Sequence, residues 1–273
     1  MQNLIESKPK IFSRNAIICL GIIALSGFFI RFFYFPEGIP ITLDGALYFW
    51  YANDLSISGT FPDNVNFPNN GWPTFLSVFF YFFNSENFLD YMDLQRYVTI
   101  IISVSTIIPV YILCRKFCGN GLSILGTVFF VFQPRIVENS ILGLSEPLFI
   151  LLELSCLILF LQNNWKFKYL SFAFLALACL IRYEGIVLII PLSIFFLLKN
   201  RDAKIIIPRF LMAISIFLLV LLPMLFVRMD TMGYDGIFSH SVAAIQVASG
   251  IFPANTLNAA ESVFELIKST AVS

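Results

Sequence analysis

A short polar run, Arg182-Tyr183-Glu184-Gly185, interrupts the apolar sequence of residues 166–200. One long helix would carry this run at the bilayer centre, where a charged side chain costs at least about 2.5–3.5 kcal/mol on insertion scales. A hairpin that turns here leaves about 13 apolar residues in each arm, slightly short of a full span. We therefore expect the turn in a recess just below the outer surface. Arg182 and Glu184 then either contribute to a site or form a self-satisfied ion pair that shapes the turn.

Two further carboxylates could take part in proton transfer. Glu146 directly precedes Pro147, a residue type that suits the first position of a helix. Its carboxylate either caps that helix or lies at the rim of an acceptor or metal site. Asp44 precedes Gly45, and an Asp before Gly is often a turn residue. An acid near the membrane surface is also well placed to act as a base beside a lipid-anchored substrate.

Other chemistries find little support in the sequence. It contains no phosphate-binding glycine loop, no zinc-type His/Cys spacing and no nucleophile elbow. The single histidine, His240, has no obvious partner. The formal net charge is zero, which argues against a nucleic-acid partner.

The composition indicates that most of the chain lies in lipid. Hydrophobic residues make up 58% of the sequence and charged residues 12%, and 32 positions are Phe. A soluble domain of 273 residues could not bury this much apolar surface. We expect an all-α polytopic membrane protein of about seven transmembrane helices, with apolar segments at 15–35, 95–114, 119–133, 147–162, 169–181, 186–198 and 208–227.

The region 36–94 is predicted to be a long first outer loop that contains interfacial helices. Its apolar segment 72–83 would be about 18 Å long as a helix, too short for about 30 Å of hydrocarbon. We place it in the membrane interface together with the aromatic run 47–51. The main alternative is that 72–83 crosses the membrane, which would invert everything downstream.

The distribution of basic residues favours the non-crossing arrangement. It puts eleven Lys and Arg residues inside and six outside, as the positive-inside rule requires. Fourteen of the 17 acidic residues then lie outside, although acids contribute little to topology. The predicted organisation is a cytoplasmic N-terminus (1–14), a transmembrane module (15–227) and a short extracytoplasmic segment (228–273). The last segment includes an amphipathic stretch at 259–268.

Four features together resemble the GT-C superfamily of membrane glycosyltransferases, especially the dolichyl-phosphate-mannose protein mannosyltransferase and aminoarabinose-transferase branch. An acid follows the first helix in a long outer loop, and a short apolar segment opens with Asn-Asn-Gly-Trp-Pro. A helix then begins at Leu-Gln-Arg-Tyr, and the acid–Pro loop and the Arg-Tyr-Glu-Gly turn come last. In order, these features are Asp44, 69–73, 94–97, and 145–147 with 182–185.

The resemblance implies a polyprenyl-phosphate-linked sugar as donor, a protein or lipid acceptor, and transfer on the outer face of the membrane. Asp44 would match the first-loop acid, the candidate general base, and Glu146 the second-loop acid that positions the acceptor or acts as a catalytic acid. A guanidinium group would hold the donor phosphate. The candidates for that role are Arg182, Arg96 and Arg135, with Glu138, Tyr183 and Glu184 in support.

Several readings stay open at this level. No cofactor is implied with certainty: two outer acids could hold a divalent cation, but the branch that the chain resembles does not rely on one. Members of the family usually continue with further helices, whereas this chain ends soon after its seventh segment. A non-catalytic or split-enzyme subunit with a partner chain is therefore one alternative to an enzyme. The other is a transporter or flippase for lipid-linked sugars.

Overall fold

The computed structural model describes residues 12–63, 69–198, 203–233, 235–239 and 242. All regular structure in these ranges is helical, as expected. The α-helices are α1 (Arg14–Phe33), α2 (Leu43–Ser58), α3 (Gly71–Phe82), α4 (Phe88–Ser105), α5 (Ile107–Phe117), α6 (Asn120–Val131), α7 (Pro134–Ile141), α8 (Glu146–Phe160), α9 (Trp165–Ile181), α10 (Ile189–Leu198) and α11 (Ala203–Met232). A 3₁₀ segment, Tyr183–Leu188, joins α9 to α10.

Three helical stretches among the described residues are long and apolar enough to cross a membrane. They are Arg14–Phe33, Phe88–Phe117 and Lys204–Met232, and the pair α6 and α7, bent by 49°, makes a fourth if it counts as one span. Helices satisfy their own backbone hydrogen bonds, so they suit the hydrocarbon interior. The chain is thus a helical membrane protein. The other predicted spans correspond to shorter helices, and the total of seven stays a prediction.

The helix boundaries differ from the predicted segments in informative ways. α4 begins at Phe88, seven residues before the predicted start at 95, and the Asn87 side chain caps it by accepting a hydrogen bond from the Leu89 N–H (3.1 Å). α2 extends well beyond the aromatic run 47–51 on both sides. α3 has 12 residues, the length expected of a segment that does not cross. The position of α2 and α3 in the membrane interface stays a prediction.

The chain reverses direction at the polar turn that follows α9. Trp165 lies at the start of α9 and Phe196 near the end of α10, yet their ring centroids are only 5.5 Å apart. Phe196 also packs edge-on against Phe172 of α9 (5.8 Å) within a core that α8, α9, α10 and α11 share. The two arms are therefore antiparallel, and Arg182 lies at the point where they turn.

A buried arginine of α1 joins four helices, α1, α4, α6 and α7. Arg31 of α1 is fully buried, and its guanidinium donates to the hydroxyls of Ser103 in α4 and Ser140 in α7, both at 3.0 Å. It also donates to the carbonyl oxygens of Gly27 (2.9 Å) and Val131 (3.3 Å). These neutral acceptors satisfy a cation that would otherwise be costly to bury. The contact holds α7, and the loop that follows it, against α1 and α4.

The start of α3 lies directly against the end of α9. A methyl group on Gly71 would collide with the carbonyl group of Leu180, so only glycine permits this approach. The adjacent Trp72 is completely buried in a second core, formed by α2, α3, α4 and α8. This packing brings the α2–α3 pair to the same end of the molecule as Arg182.

Candidate functional site

Arg182 lies between two carboxylates at the end of α9. Its Nη1 donates to Glu146 Oε1 at 2.6 Å, and its Nη2 donates to Glu184 Oε1 at 2.9 Å. The side chains of Arg182 and Glu146 are 29% and 26% exposed, so the group is partly buried but open to solvent. Burial opposes the charge on Arg182, but the hydrogen bond to Glu184 and the charges of both carboxylates outweigh it and raise the pKa of Arg182. The charged guanidinium fork of Arg182 is thus held in a partly exposed position, with one terminal nitrogen bonded to each carboxylate.

Glu146 binds this arginine instead of capping its own helix. α8 begins at Glu146 with Pro147 in its first turn, as predicted, and Ser145 is the N-cap residue. The capping alternative left open above is not what the structure adopts, because the Glu146 carboxylate accepts its hydrogen bond from Arg182. Since Arg182 lies 36 residues further along the chain, the ion pair joins the start of α8 to the end of α9. The Glu146 carboxylate therefore points towards Arg182.

Asp44 lies in the first turn of α2 and is exposed. The preceding residue, Leu43, has φ +53°, a backbone conformation that few non-glycine residues adopt. Strained backbone of this kind is often found at functional sites. The strain here lies directly beside the predicted base.

Tyr48 has both Asp44 and members of the Arg182 cluster among its electrostatic neighbours. It lies one helical turn after Asp44, its hydroxyl interacts with the side chain of Ser145, and its electrostatic neighbours are Arg182, Asp44 and Glu146. Burial raises the pKa of Tyr48, so the phenol keeps its proton and can donate a hydrogen bond. Sequence reasoning did not identify Tyr48, although its four-residue spacing from Asp44 would have pointed to it had the start of α2 been known.

The other predicted site residues lie in different settings. Arg96 is buried in α4, where it pairs with Asp93 (2.7 Å) and donates to the Pro36 carbonyl (3.3 Å). Arg135 and Glu138 form an exposed i,i+3 pair on α7 at 3.2 Å. Tyr183 and Glu184 directly follow Arg182, and burial raises the pKa of Tyr183. The structure thus joins Glu146, Arg182 and Glu184 by hydrogen bonds, with Tyr183 next to them in the chain, and Asp44 is linked to this cluster through the electrostatic neighbours of Tyr48. The hydrogen bonds of Arg96 and Arg135 lie outside the cluster.

The described residues do not provide a set of ligands for a metal ion. No three His, Cys, Asp or Glu side chains in that part of the chain come close enough together to hold one. Glu146 and Glu184 are bound to Arg182, whose positive charge opposes a cation at the same oxygens. The described residues therefore offer no preformed ligand set for the divalent cation considered above.

Comparison with known proteins identifies the family of the chain. The family model described as dolichyl-phosphate-mannose-protein mannosyltransferase matches residues 76–226, more than half of the chain. No curated protein and no solved structure matches. The matched region includes Glu146, Arg182 and Glu184, whereas Asp44 and Tyr48 precede it. The chain belongs to the dolichyl-phosphate-mannose-protein mannosyltransferase family, whose members are membrane glycosyltransferases of the GT-C type.

Proposed function

We propose that the chain transfers a sugar from a polyprenyl-phosphate-linked donor to a protein or lipid acceptor on the extracytoplasmic face. The observation that carries this proposal is the Arg182 fork between Glu146 and Glu184 in a chain of this family. Both the phosphate of such a donor and the hydroxyl of an acceptor find suitable partners in this group. The side chains of Arg182 and Glu146 are partly exposed, so both substrates could reach them.

Arg182 is the residue proposed to bind the donor phosphate. Its two terminal nitrogens each hold a carboxylate oxygen, and the same planar fork suits two phosphate oxygens. As the bond between the anomeric carbon and the phosphate oxygen breaks, negative charge builds up on the departing phosphate. A preorganised guanidinium group in a partly dry site stabilises that charge more in the transition state than in the ground state.

Asp44 is the proposed general base. The acceptor oxygen attacks the anomeric carbon and gives its proton to the Asp44 carboxylate, while the polyprenyl phosphate leaves with the bonding electrons. Glu146 positions the acceptor or acts as a catalytic acid. The Tyr48 hydroxyl, which interacts with Ser145 and stays protonated, is available as a hydrogen-bond donor.

The donor-binding role of Arg182 can be tested by substitution in the purified protein. We expect Arg182→Gln to lower kcat/KM for a radiolabelled polyprenyl-phosphate sugar by about 10²–10³-fold, because the charge that stabilises the leaving phosphate is lost. Arg182→Lys should recover part of this loss, since a lysine restores the charge without the fork.

Arg135→Gln is the matched control, because Arg135 is 69% exposed and pairs only with its helical neighbour among the contacts described. It should change kcat/KM by less than about threefold. Equal losses in Arg182→Gln and Arg135→Gln would contradict the assignment of the donor phosphate to Arg182.

A further inference from the structure

Gln95 is a fully buried polar residue that the proposed chemistry does not use. It lies in α4, and its side-chain amide nitrogen donates to two backbone carbonyl oxygens, Gly45 at 3.1 Å and Gly143 at 2.8 Å. Its side-chain oxygen has no hydrogen-bond partner among the described residues. The two bonds from the amide nitrogen are therefore the polar contacts that offset the burial of this side chain.

The two carbonyl groups belong to the segments that carry the proposed catalytic acids. Gly45 directly follows Asp44, and Gly143 lies three residues before Glu146. These segments are about 100 residues apart in the sequence and meet only through tertiary packing. One side chain therefore spans the gap between the turn that carries the base and the loop that carries the second acid.

The backbones of the two segments lie in direct contact with each other. A methyl group on Gly45 would lie 2.9 Å from the Leu142 carbonyl oxygen, and one on Gly143 would lie 3.0 Å from Gln95 Cγ. Gly143 also has φ +71°, which favours glycine. The contact is thus made by backbone on both sides, and Gln95 supplies the hydrogen bonds that hold it.

The chemistry of glutamine suits this task better than that of its relatives. A neutral amide offers two N–H donors at the end of a two-carbon stem, one for each carbonyl group. Glutamate can only accept when ionised, asparagine is one carbon shorter, and lysine would bury a charge.

We infer that Gln95 is a positioning residue that fixes the separation of Asp44 and Glu146 by bridging the Gly45 and Gly143 carbonyl groups. This inference rests on the proposed function, in which those two acids act on the same acceptor. A misplacement of about 1 Å between reacting groups costs on the order of 10²-fold in rate. The expected effect of losing the bridge is therefore on kcat, with little effect on donor binding.

The test compares Gln95→Met with Thr99→Val. Gln95→Met keeps the size of the side chain but removes both donors, whereas Thr99→Val removes a buried hydroxyl one turn further along α4. Thr99 donates to the carbonyl oxygen of Ser140 (2.6 Å), so it holds the end of α7, directly before the same loop, without bridging to α2. We expect Gln95→Met to lower kcat about 10–100-fold with the donor KM changed less than threefold. Thr99→Val should lower kcat less than threefold, and Gln95→Asn, which keeps the amide, should lie between the two.

A geometric measurement separates this inference from the proposed function. Nitroxide labels at Leu43→Cys and Leu142→Cys, with Cys19, Cys114 and Cys118 replaced by Ala, report the separation of the two segments. Gln95→Met should broaden or lengthen that distance, and Thr99→Val should leave it unchanged. An unchanged distance in Gln95→Met, or equal kcat losses in Gln95→Met and Thr99→Val, would overturn the inference. A wild-type protein without transferase activity would refute the proposed function, and the distance would still decide whether Gln95 holds the segments together.

Discussion

Arg182 forms hydrogen bonds with two carboxylates, Glu146 and Glu184, that are themselves candidate site residues. These two carboxylates accept hydrogen bonds from the guanidinium group. A donor phosphate would have to replace at least one of them, which would release Glu146 or Glu184 at the moment the donor arrives. Under the proposed function, donor binding and the availability of an acid would be linked through one side chain.

Tyr48 gives a prediction at the same scale. Because burial raises its pKa above the ordinary value near 10, the phenol stays protonated at physiological pH. Tyr48→Phe should therefore lower kcat by about 5–20-fold through loss of a hydrogen-bond donor, without shifting the acidic limb of the pH–rate profile. Tyr81→Phe is the control, since Tyr81 is 71% exposed on α3, and it should leave kcat unchanged. A shifted acidic limb in Tyr48→Phe would contradict a purely donating role.

At the scale of helices, Arg31 is the residue that holds α1 to its neighbours. Arg31→Met should destabilise the protein by roughly 3 kcal/mol, because it leaves the hydroxyls of Ser103 and Ser140 and the Val131 carbonyl without their charged donor. The measurement is the thermal midpoint of the detergent-solubilised protein, which we expect to fall by at least about 5 °C.

Arg14→Met provides the comparison for Arg31, because Arg14 is an exposed residue in the first turn of the same helix. Its midpoint should stay within about 1 °C of the wild type. Equal midpoints in the two variants would mean that the buried hydrogen bonds of Arg31 contribute nothing to the stability of the helix bundle.

The helices themselves were largely predictable, and the contacts that orient them were not. Apolar runs located the main helices and the turn at Arg182 because length and burial of charge are properties of the local sequence. The extent of α2 was missed, since it mixes aromatic residues with Asn53 and Asp54 and gives no clear period. The hydrogen bonds of Arg31 join residues 72 and 109 positions apart, and no local pattern reports such pairs.

The same distinction applies to the candidate site. Asp44, Glu146, Arg182 and Glu184 were proposed from residue type and from resemblance to a family, and their roles stay predictions. Tyr48 and Gln95 were missed because their importance lies in what they contact: Ser145 for the first, and the Gly45 and Gly143 carbonyl groups for the second. Arg96 and Arg135 have the same residue type as Arg182, but the partners that the structure gives them are Asp93 and Glu138.

At the scale of the whole molecule, the orientation in the membrane is a prediction that labelling can check. Single cysteines at Glu37 and Arg135, both exposed, lie before and after α3. If α3 does not cross, an impermeant maleimide should label both cysteines from outside intact cells. In that case α1 brings the chain out before Glu37, the α4–α5 stretch takes it back in, and α6 brings it out again before Arg135. Lys166→Cys should react only after permeabilisation. Labelling of Glu37→Cys but not Arg135→Cys from outside would mean that α3 crosses and that the topology after it is inverted.

We propose that this end of the helix bundle catalyses sugar transfer with Asp44 as the base. The most direct test measures transfer from radiolabelled polyprenyl-phosphate sugars by the wild-type protein, by Asp44→Asn and by Asp54→Asn, whose carboxylate is exposed further along α2. We expect turnover by the wild type and by Asp54→Asn, and a loss of at least about 10²-fold in Asp44→Asn with the donor still bound. Full turnover by Asp44→Asn, or none by the wild type, would contradict this proposal.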